Sequence, residues 1–504
     1  VPVKKDYPRL SLQNSNNHLH SVQAEIKQLP VKVLQIGEGN FLRGFADWMI
    51  YESAVKGGFK GTVAVTQPRR KGRGKLLTIR EQDGLYTLLT RGIVNGTAVE
   101  KTSIIPILSR TIDPYEEWQD FLQLAVSPEL DIIISNTTEA GLTYLETRYE
   151  EGVPIDSFPG KLTVFLHERY THYSGSKESG LLILPCELVD RNGDVLKKYV
   201  LQHSIDFGFS DSFREWVQQD NRFLNNLVDR IVTGAPSEEE AAVLTERFGY
   251  EDKLMTLAEP YHLWAIEGEP DLDDRLPLAQ AGLNIHWTSD LKPFQLRKVR
   301  LLNGSHTLMT PIAILKGQTY VRETMEDSEL GAFVRDAAKK EIIPALDLPE
   351  EEMQSYVKEV WDRFLNPYIN HKLTDIMLGS ISKFKVRLLP TLLESNNKNG
   401  VLPERIVTSF SALLRLYKAK QTESGYVSST FCGEIVTLRD EERLLASLAQ
   451  YWSEYSGTNM NEVVSNILAD EQIWGQNLDL ISGLRDQLAE NLNKWEKEEH
   501  NEYV

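Results

Sequence analysis

Three residues have types and spacing suited to moving a proton at a carbonyl oxygen. They are Lys298, Asn303 and His306, in the run Lys298-Val-Arg-Leu-Leu-Asn303-Gly-Ser-His306-Thr307. A lysine buried against apolar neighbours such as Leu301 and Leu302 loses part of its preference for the charged form and can exchange its proton near neutrality. An amide and an imidazole can hydrogen-bond a substrate oxygen as charge develops on it. On an α-helix the three positions fall at about 0°, 140° and 80°, one broad face over roughly two turns. The spacing by itself also fits a surface lysine, a capping asparagine and a core histidine satisfied by its neighbours.

A second constellation is built for a phosphate. The apolar run Val31–Ile36 leads into Gly37-Glu38-Gly39-Asn40-Phe41-Leu42-Arg43. Glycines after a strand let the backbone approach a pyrophosphate, and the helix that follows adds N–H groups and positive potential. Leu42 stands where a third glycine would complete the dinucleotide fingerprint, so an ordinary tight strand-to-helix turn also fits. No carboxylate follows the second strand candidate, where one would meet an adenosine ribose. The chain continues Thr66-Gln67-Pro68-Arg69-Arg70 instead, and the arginines suit either the 2′-phosphate of NADP or a solvated basic loop.

Two further runs carry polar groups. Ser135-Asn136-Thr137-Thr138-Glu139-Ala140-Gly141 follows a third apolar run. Side chains at the carboxyl end of a parallel strand face a ligand crevice, and the same residues suit a helix start. In Ser382-Lys383-Phe384-Lys385-Val386-Arg387-Leu388-Leu389-Pro390, three cations alternate with apolar residues. They could clamp a carboxylate or line a solvated amphipathic edge. His18 and His20 read as surface, and no His/Cys/Asp cluster has metal-ligand spacing. No Gly-x-Ser-x-Gly nucleophile turn or Walker A loop occurs.

The elements that must position these groups follow from periodicity. Apolar runs at 31–36, 61–66, 131–135 and 180–184 alternate with helical patterns such as 115–124 and 159–173. Strands alternating with helices predict a doubly wound parallel sheet. After about residue 288 the pattern becomes helical, at 330–343, 350–364, 403–417, 441–455, 460–468 and 478–496. The expected fold class is α/β: a Rossmann-like doubly wound domain over 1–288 and a mostly α-helical substrate and catalytic domain over 289–504.

Composition narrows the function. Of 504 residues, 73 are acidic and 55 basic, so the formal net charge is −18. That argues against nucleic-acid binding and against binding to anionic membranes, both of which need basic surface. Two cysteines, Cys186 and Cys432, make no disulfide framework and no cysteine-rich zinc site. No run approaches the ~18 apolar residues of a membrane span, and the first twenty residues show no apolar signal core. A cytoplasmic protein is expected.

Five ordered motifs resemble one family over nearly all of the chain. They are Ile36-Gly-Glu-Gly-Asn-Phe-Leu-Arg43, Gln82-Asp-Gly-Leu-Tyr-Thr87, Asn136-Thr-Thr-Glu-Ala-Gly141, Asp229-Arg-Ile-Val-Thr233 and Lys298-x4-Asn303-x2-His306. The family is that of the polyol-specific long-chain dehydrogenases, the mannitol dehydrogenase family. The resemblance implies NAD or NADH along Ile36–Arg43 and Asn136, Thr137, Thr138 and Glu139, with no metal. It implies Lys298 as general acid and base, with Asn303 and His306 polarising the carbonyl. Lys383 matches a substrate-binding basic residue of relatives, and Lys385 and Arg387 stand near it for a carboxylate. Pro185-Cys-Glu-Leu188 with Asn192-Gly193 resembles the branch that reduces D-tagaturonate to D-altronate. Mannitol and mannonate members usually carry Cys-Asp-Asn there, so Glu187 and Leu188 leave the oxyanion site one donor short. The implied partner is a small sugar acid, met by a monomer or weak homodimer. Fructuronate, mannonate or mannitol chemistry is the alternative within the family, and a non-catalytic nucleotide-binding protein the alternative outside it.

Overall fold

The computed structural model describes residues 6–13, 21–137 and 140–501. These divide into two compact units, one within Val1–Arg91 and Ala98–Leu291, the other within Gly92–Thr97 and Lys292–Val504.

The first unit is organised by strands β1 (Val31–Ile36), β2 (Thr62–Thr66), β3 (Tyr86–Val94), β4 (Thr97–Ile105), β5 (Leu108–Ile112), β6 (Ile132–Ser135), β7 (Leu182–Pro185) and β8 (Arg222–Phe223). Six of them form a wholly parallel sheet in the order β5-β2-β1-β6-β7-β8. Apolar residues fill both faces, because helices cover both. Val33, Val63, Val65, Ile132 and Ile134 pack with the helices Ala46–Val55 and Arg73–Glu81. Leu34, Ile36, Ala64, Ile133 and Ile183 pack with Phe158–His172 and Asn192–Asp206 on the other side. The chain winds outward in one direction from β1 through β2 to β5, and in the other from β6 to β8. The order therefore reverses between β1 and β6, and such a reversal opens a crevice at the carboxyl ends of the strands.

The periodicity passes over β3 and β4, which lie in a second sheet with two shorter strands. The first seven residues of β4 carry little core-facing apolar surface, so no alternation marks it in the sequence.

The second unit is mostly helical, as the pattern predicts. Its centre is the helix Gly304–Leu315, every residue of which is buried. It packs against Leu373–Met377, Ser380–Arg387 and Glu404–Leu416. An antiparallel meander, Lys420–Thr422, Gly425–Ser429 and Ile435–Leu438, adds strands the pattern does not announce. They are too short for a period of two to show. No helix among the described residues is long and apolar enough to cross a membrane.

Candidate active site

The glycine turn sits at the reversal of strand order. Gly37 donates its N–H to the Thr66 carbonyl at 2.9 Å, and Asn136 donates to the Ile36 carbonyl at 3.1 Å, so the ends of β1, β2 and β6 are tied together. Gly37 has φ +132°, and a Cβ there would lie 2.6 Å from the Asn136 carbonyl oxygen. Glycine is required for backbone packing at that point. Gly39 differs, since a Cβ would meet nothing within 4 Å. The first glycine closes the turn and the second leaves open backbone, the arrangement a pyrophosphate needs. The residues present fit a dinucleotide.

The helix after this turn is shorter than the sequence suggests. Asn40–Gly44 has five residues and breaks at Phe45 before Ala46–Val55 begins. Arg43 turns inward and is almost wholly buried. Its guanidinium donates to the Glu38 carbonyl at 2.7 Å, to Thr256 Oγ1 at 3.3 Å and to Asn40 Oδ1. Leu42 is buried against Gly37, which is how a leucine serves at the third glycine position. Two of the remaining motifs act here. The Tyr86 hydroxyl donates to the Arg43 carbonyl at 2.7 Å. Buried Arg230 donates to the Gly44 carbonyl at 2.6 Å and lies 4.0 Å from the Trp48 ring centre. Neither motif announces this role in the sequence. Beneath the turn, Gln35 donates to the Gly37 carbonyl at 3.0 Å and to Asp47 Oδ2 at 3.3 Å. Burial pushes the Asp47 carboxyl up to about 8.

At the end of β6, Asn136 donates to the Cys186 carbonyl at 2.8 Å. Glu187, buried, accepts from Ser135 Oγ at 3.0 Å and from the Thr137 N–H and Oγ1 at 2.9 and 3.0 Å. Burial raises its carboxyl above the ordinary range even though these bonds pull the other way. Glu187 is thus an internal clip on the strand end, while Leu188 next to it is 70% exposed. Thr138, Glu139, His18 and His20 lie outside the described residues.

A carboxylate does stand beside the end of β2, and it comes from β5. Asp113 accepts from Gln67 Nε2 at 3.1 Å and from the Tyr115 N–H at 3.0 Å. Arg70, read as a partner for a 2′-phosphate or solvent, pairs with Asp156 at 3.1 Å and lies over the Tyr115 ring. Buried Lys161 donates to the Tyr115 hydroxyl at 2.8 Å, and burial brings its ammonium down to about 7.

In the second unit, Lys298–Asn303 is a π-helical turn between the helices Lys292–Arg297 and Gly304–Leu315. This corrects the α-helical geometry expected for Lys298, Asn303 and His306. An α-helix sets residues five apart about 140° from each other, whereas the wider i→i+5 turn brings them closer together around the axis. Lys298 and Asn303 therefore share a face more closely than their spacing suggests. Such turns are frequent at functional sites. Arg300 anchors this one, donating to Thr391 Oγ1 at 2.9 Å and to Glu394 at 2.6 Å. Lys298 and Asn303 are both half-buried.

His306 is 8% exposed. Its ring stacks on Phe364 at 4.1 Å between centres and meets His371 edge-on at 4.8 Å. Its Nε2 is buried with no hydrogen-bond partner. Burial, and then the positive surroundings of His371, Arg363, Arg387 and Lys383, hold the imidazole well below its ordinary pKa, so it is neutral. The sequence does not reveal Phe364 or His371, since nothing in the spacing ties residues 364–371 to 306.

The three alternating cations lie on a helix, Ser380–Arg387. At about 100° per residue, Lys383 and Arg387 share a face and Lys385 falls about 200° from Lys383. Arg387 donates to Thr307 Oγ1 at 3.1 Å, and Lys383 donates to the Ile376 carbonyl at 2.7 Å. Lys383 and Arg387 are among the charges acting on the His306 ring.

Residues 31–280 match the model of the mannitol dehydrogenase Rossmann domain, and residues 290–496 that of the mannitol dehydrogenase C-terminal domain. The chain belongs to the mannitol dehydrogenase family. Among members of that family, it is 42% identical over 466 residues to an altronate oxidoreductase of Bacillus subtilis, covering 92% of this chain and 93% of that protein. It is 39% identical over 473 residues to an altronate oxidoreductase of Halalkalibacterium halodurans, covering 94% and 92%. The fold is similar to that of Pseudomonas fluorescens mannitol 2-dehydrogenase, solved as a ternary complex with NAD and D-mannitol, with a TM-score of 0.64, 20% identity and 98% of each chain covered.

Proposed function

We propose that this member of the mannitol dehydrogenase family is an NAD-dependent sugar-acid oxidoreductase that interconverts D-tagaturonate and D-altronate. It would act in the cytoplasm as a monomer or weak homodimer, without a metal. The observation that carries the chemistry is the π-turn, which aligns half-buried Lys298 with Asn303 one wide turn before a buried, neutral His306. The likeness to altronate oxidoreductases supports the substrate.

In this reading the first unit holds the dinucleotide. The open backbone at Gly39 takes the pyrophosphate, and Ile36–Arg43 with Asn136 and Thr137 border it. Arg43 acts from inside, by fixing the turn's shape. The reduced nicotinamide supplies a hydride when bound. In the second unit Lys298 gives its proton to the oxygen of the reduced ketone, and takes one back when the reaction runs as an oxidation. Asn303 Nδ2 and the unpartnered Nε2 of His306 polarise that oxygen. A neutral imidazole can donate one hydrogen bond without competing for the lysine's proton.

The test is loss of NADH absorbance with purified protein and D-tagaturonate, D-fructuronate or D-fructose, repeated with NADPH. Oxidation of NADH with tagaturonate and not with the other two is the expected result. Preference for fructuronate or fructose would move the substrate elsewhere in the family, preference for NADPH would overturn the cofactor, and no oxidation by folded protein would overturn the enzyme reading.

A further inference from the structure

A guanidinium carries five N–H donors, and when removed from water it ordinarily meets a carboxylate. Arg387 is half-buried, and desolvation lowers its pKa, in a protein with an excess of acidic residues. Yet its hydrogen bonding ends at the Thr307 hydroxyl, 3.1 Å away, and it makes no ion pair among the described residues. Thr307 is itself turned by its bond to the Asn303 carbonyl at 3.0 Å and directly follows His306. One helical turn before Arg387, Lys383 is committed only to a carbonyl oxygen.

We propose that Arg387, held by Thr307 and flanked by Lys383, is the subsite for the carboxylate of the substrate, next to the carbonyl-polarising His306. The proposal rests on the sugar-acid reading of the function and assigns the acid end of that substrate to one of three candidate cations.

Two further observations agree. The His306 Nε2 is buried without a partner among the described residues, so polar capacity is left over beside Thr307. The groups acting on His306 from its surroundings are cationic or imidazole: His371, Arg363, Arg387 and Lys383. A site rich in positive charge with a fork-shaped donor suits a planar anion better than a neutral polyol. Lys385, on the far side of the same helix, takes no part.

Calorimetric titration with D-altronate and with D-altritol, which has a hydroxymethyl in place of the carboxylate, separates this from the choice of reaction. Wild-type protein saturated with NAD should bind the acid at least ~30-fold more tightly than the alcohol, a ratio in keeping with a charge-assisted pair away from water. In Arg387→Gln the ratio should fall to within ~3-fold. Arg387→Lys should recover part of it, because an ammonium keeps the charge and loses the fork. Thr307→Val should lower it by about threefold by unpinning the guanidinium. These last two variants carry the test if Arg387→Gln does not fold. Equal binding of acid and alcohol by the wild type, or an undiminished ratio in Arg387→Gln, would overturn the subsite even if tagaturonate is reduced. A ratio that depends on Arg387 in a protein that reduces some other keto acid would uphold the subsite and overturn the choice of tagaturonate.

Discussion

The glycine turn of the first unit and the π-turn of the second handle their charged and ring donors in opposite ways. Around Gly37–Arg43 the buried donors are spent on the protein: Arg43 on Glu38, Asn40 and Thr256, Tyr86 on Arg43, Arg230 on Gly44. Among the described residues, the buried atoms left without a partner beside that turn are oxygens, on Gln35, Asp47, Thr66 and Gln67, and the backbone at Gly39 is open. Around Lys298–Thr307 polar capacity is left over, in the Nε2 of His306 and the guanidinium of Arg387. A site for an invariant cofactor can be rigid and complete, with shape as its offering. A site for a reacting group must hold donors in reserve, because a donor already satisfied has nothing to give as charge develops.

The contrast is broken most severely at Lys298. Lys298→Ala should lower turnover by ~10³-fold, within the range of a lost general acid. NADH affinity, followed by fluorescence titration, should stay put. Loss of both together would mean that the lysine serves the fold and not the proton.

The two glycines sharpen the first half of the comparison. Gly37→Ala forces a Cβ onto the Asn136 carbonyl at a positive φ and should cost about 1–3 kcal/mol of stability in denaturant unfolding. Gly39→Ala meets no atom of the protein. It should unfold like the wild type while raising the NADH dissociation constant by ~10-fold, since one extra methyl keeps the backbone from the pyrophosphate. If both variants behave alike, the open backbone is not where the dinucleotide lies.

Asp47 tests how much the completed turn costs. Its carboxyl titrates near 8 in the folded protein against an ordinary 3.8, so folding favours the protonated form. Stability from this group is present in full below the unfolded pKa and is lost as pH rises through the folded one. Asp47→Asn should therefore match the wild type near pH 4 and gain several degrees in Tm as the pH approaches 8, as scanning calorimetry would show. A Tm difference that does not change with pH would remove Asp47 from the account.

The smallest effect is expected at Leu188, which is 70% exposed. Leu188→Asn should change stability by no more than about 0.5 kcal/mol in urea unfolding. A larger loss would show that this residue packs on something the exposed surface conceals.

The two regions also differ in how much of them the sequence discloses. The glycine turn is local: a strand, two glycines and a helix start lie within thirteen residues, and a short apolar run reveals the strand. The residues that fasten it, Tyr86, Arg230 and Thr256, come from far along the chain, and no periodicity relates them to it. In the second unit the types of Lys298, Asn303 and His306 are legible and their angles are not, because a π-turn differs from an α-turn by one residue of winding and has no composition of its own. The alternation of cations at 383–387 leaves a carboxylate clamp and a solvated edge equally open, and the helix Ser380–Arg387, packed against Gly304–Leu315, sets which of the three share a face. His371 and Phe364 are out of the sequence's reach, because their meaning depends on a ring 4 to 5 Å away across the fold.

The wide turn at Lys298–Asn303 makes the second unit unusually tolerant of length in one short stretch. Deleting a single residue between Val299 and Leu302 would let the chain wind as an unbroken α-helix. The hydrophobic helix beyond it could keep its place in the core, and Lys298, then seven residues before His306, would lie about 20° from it around the axis, close to its present bearing. Along most helices a lost residue turns everything before it by about 100°; here the wide turn is slack that the loss takes up, and the proton donor would keep its side of the helix while moving along the axis.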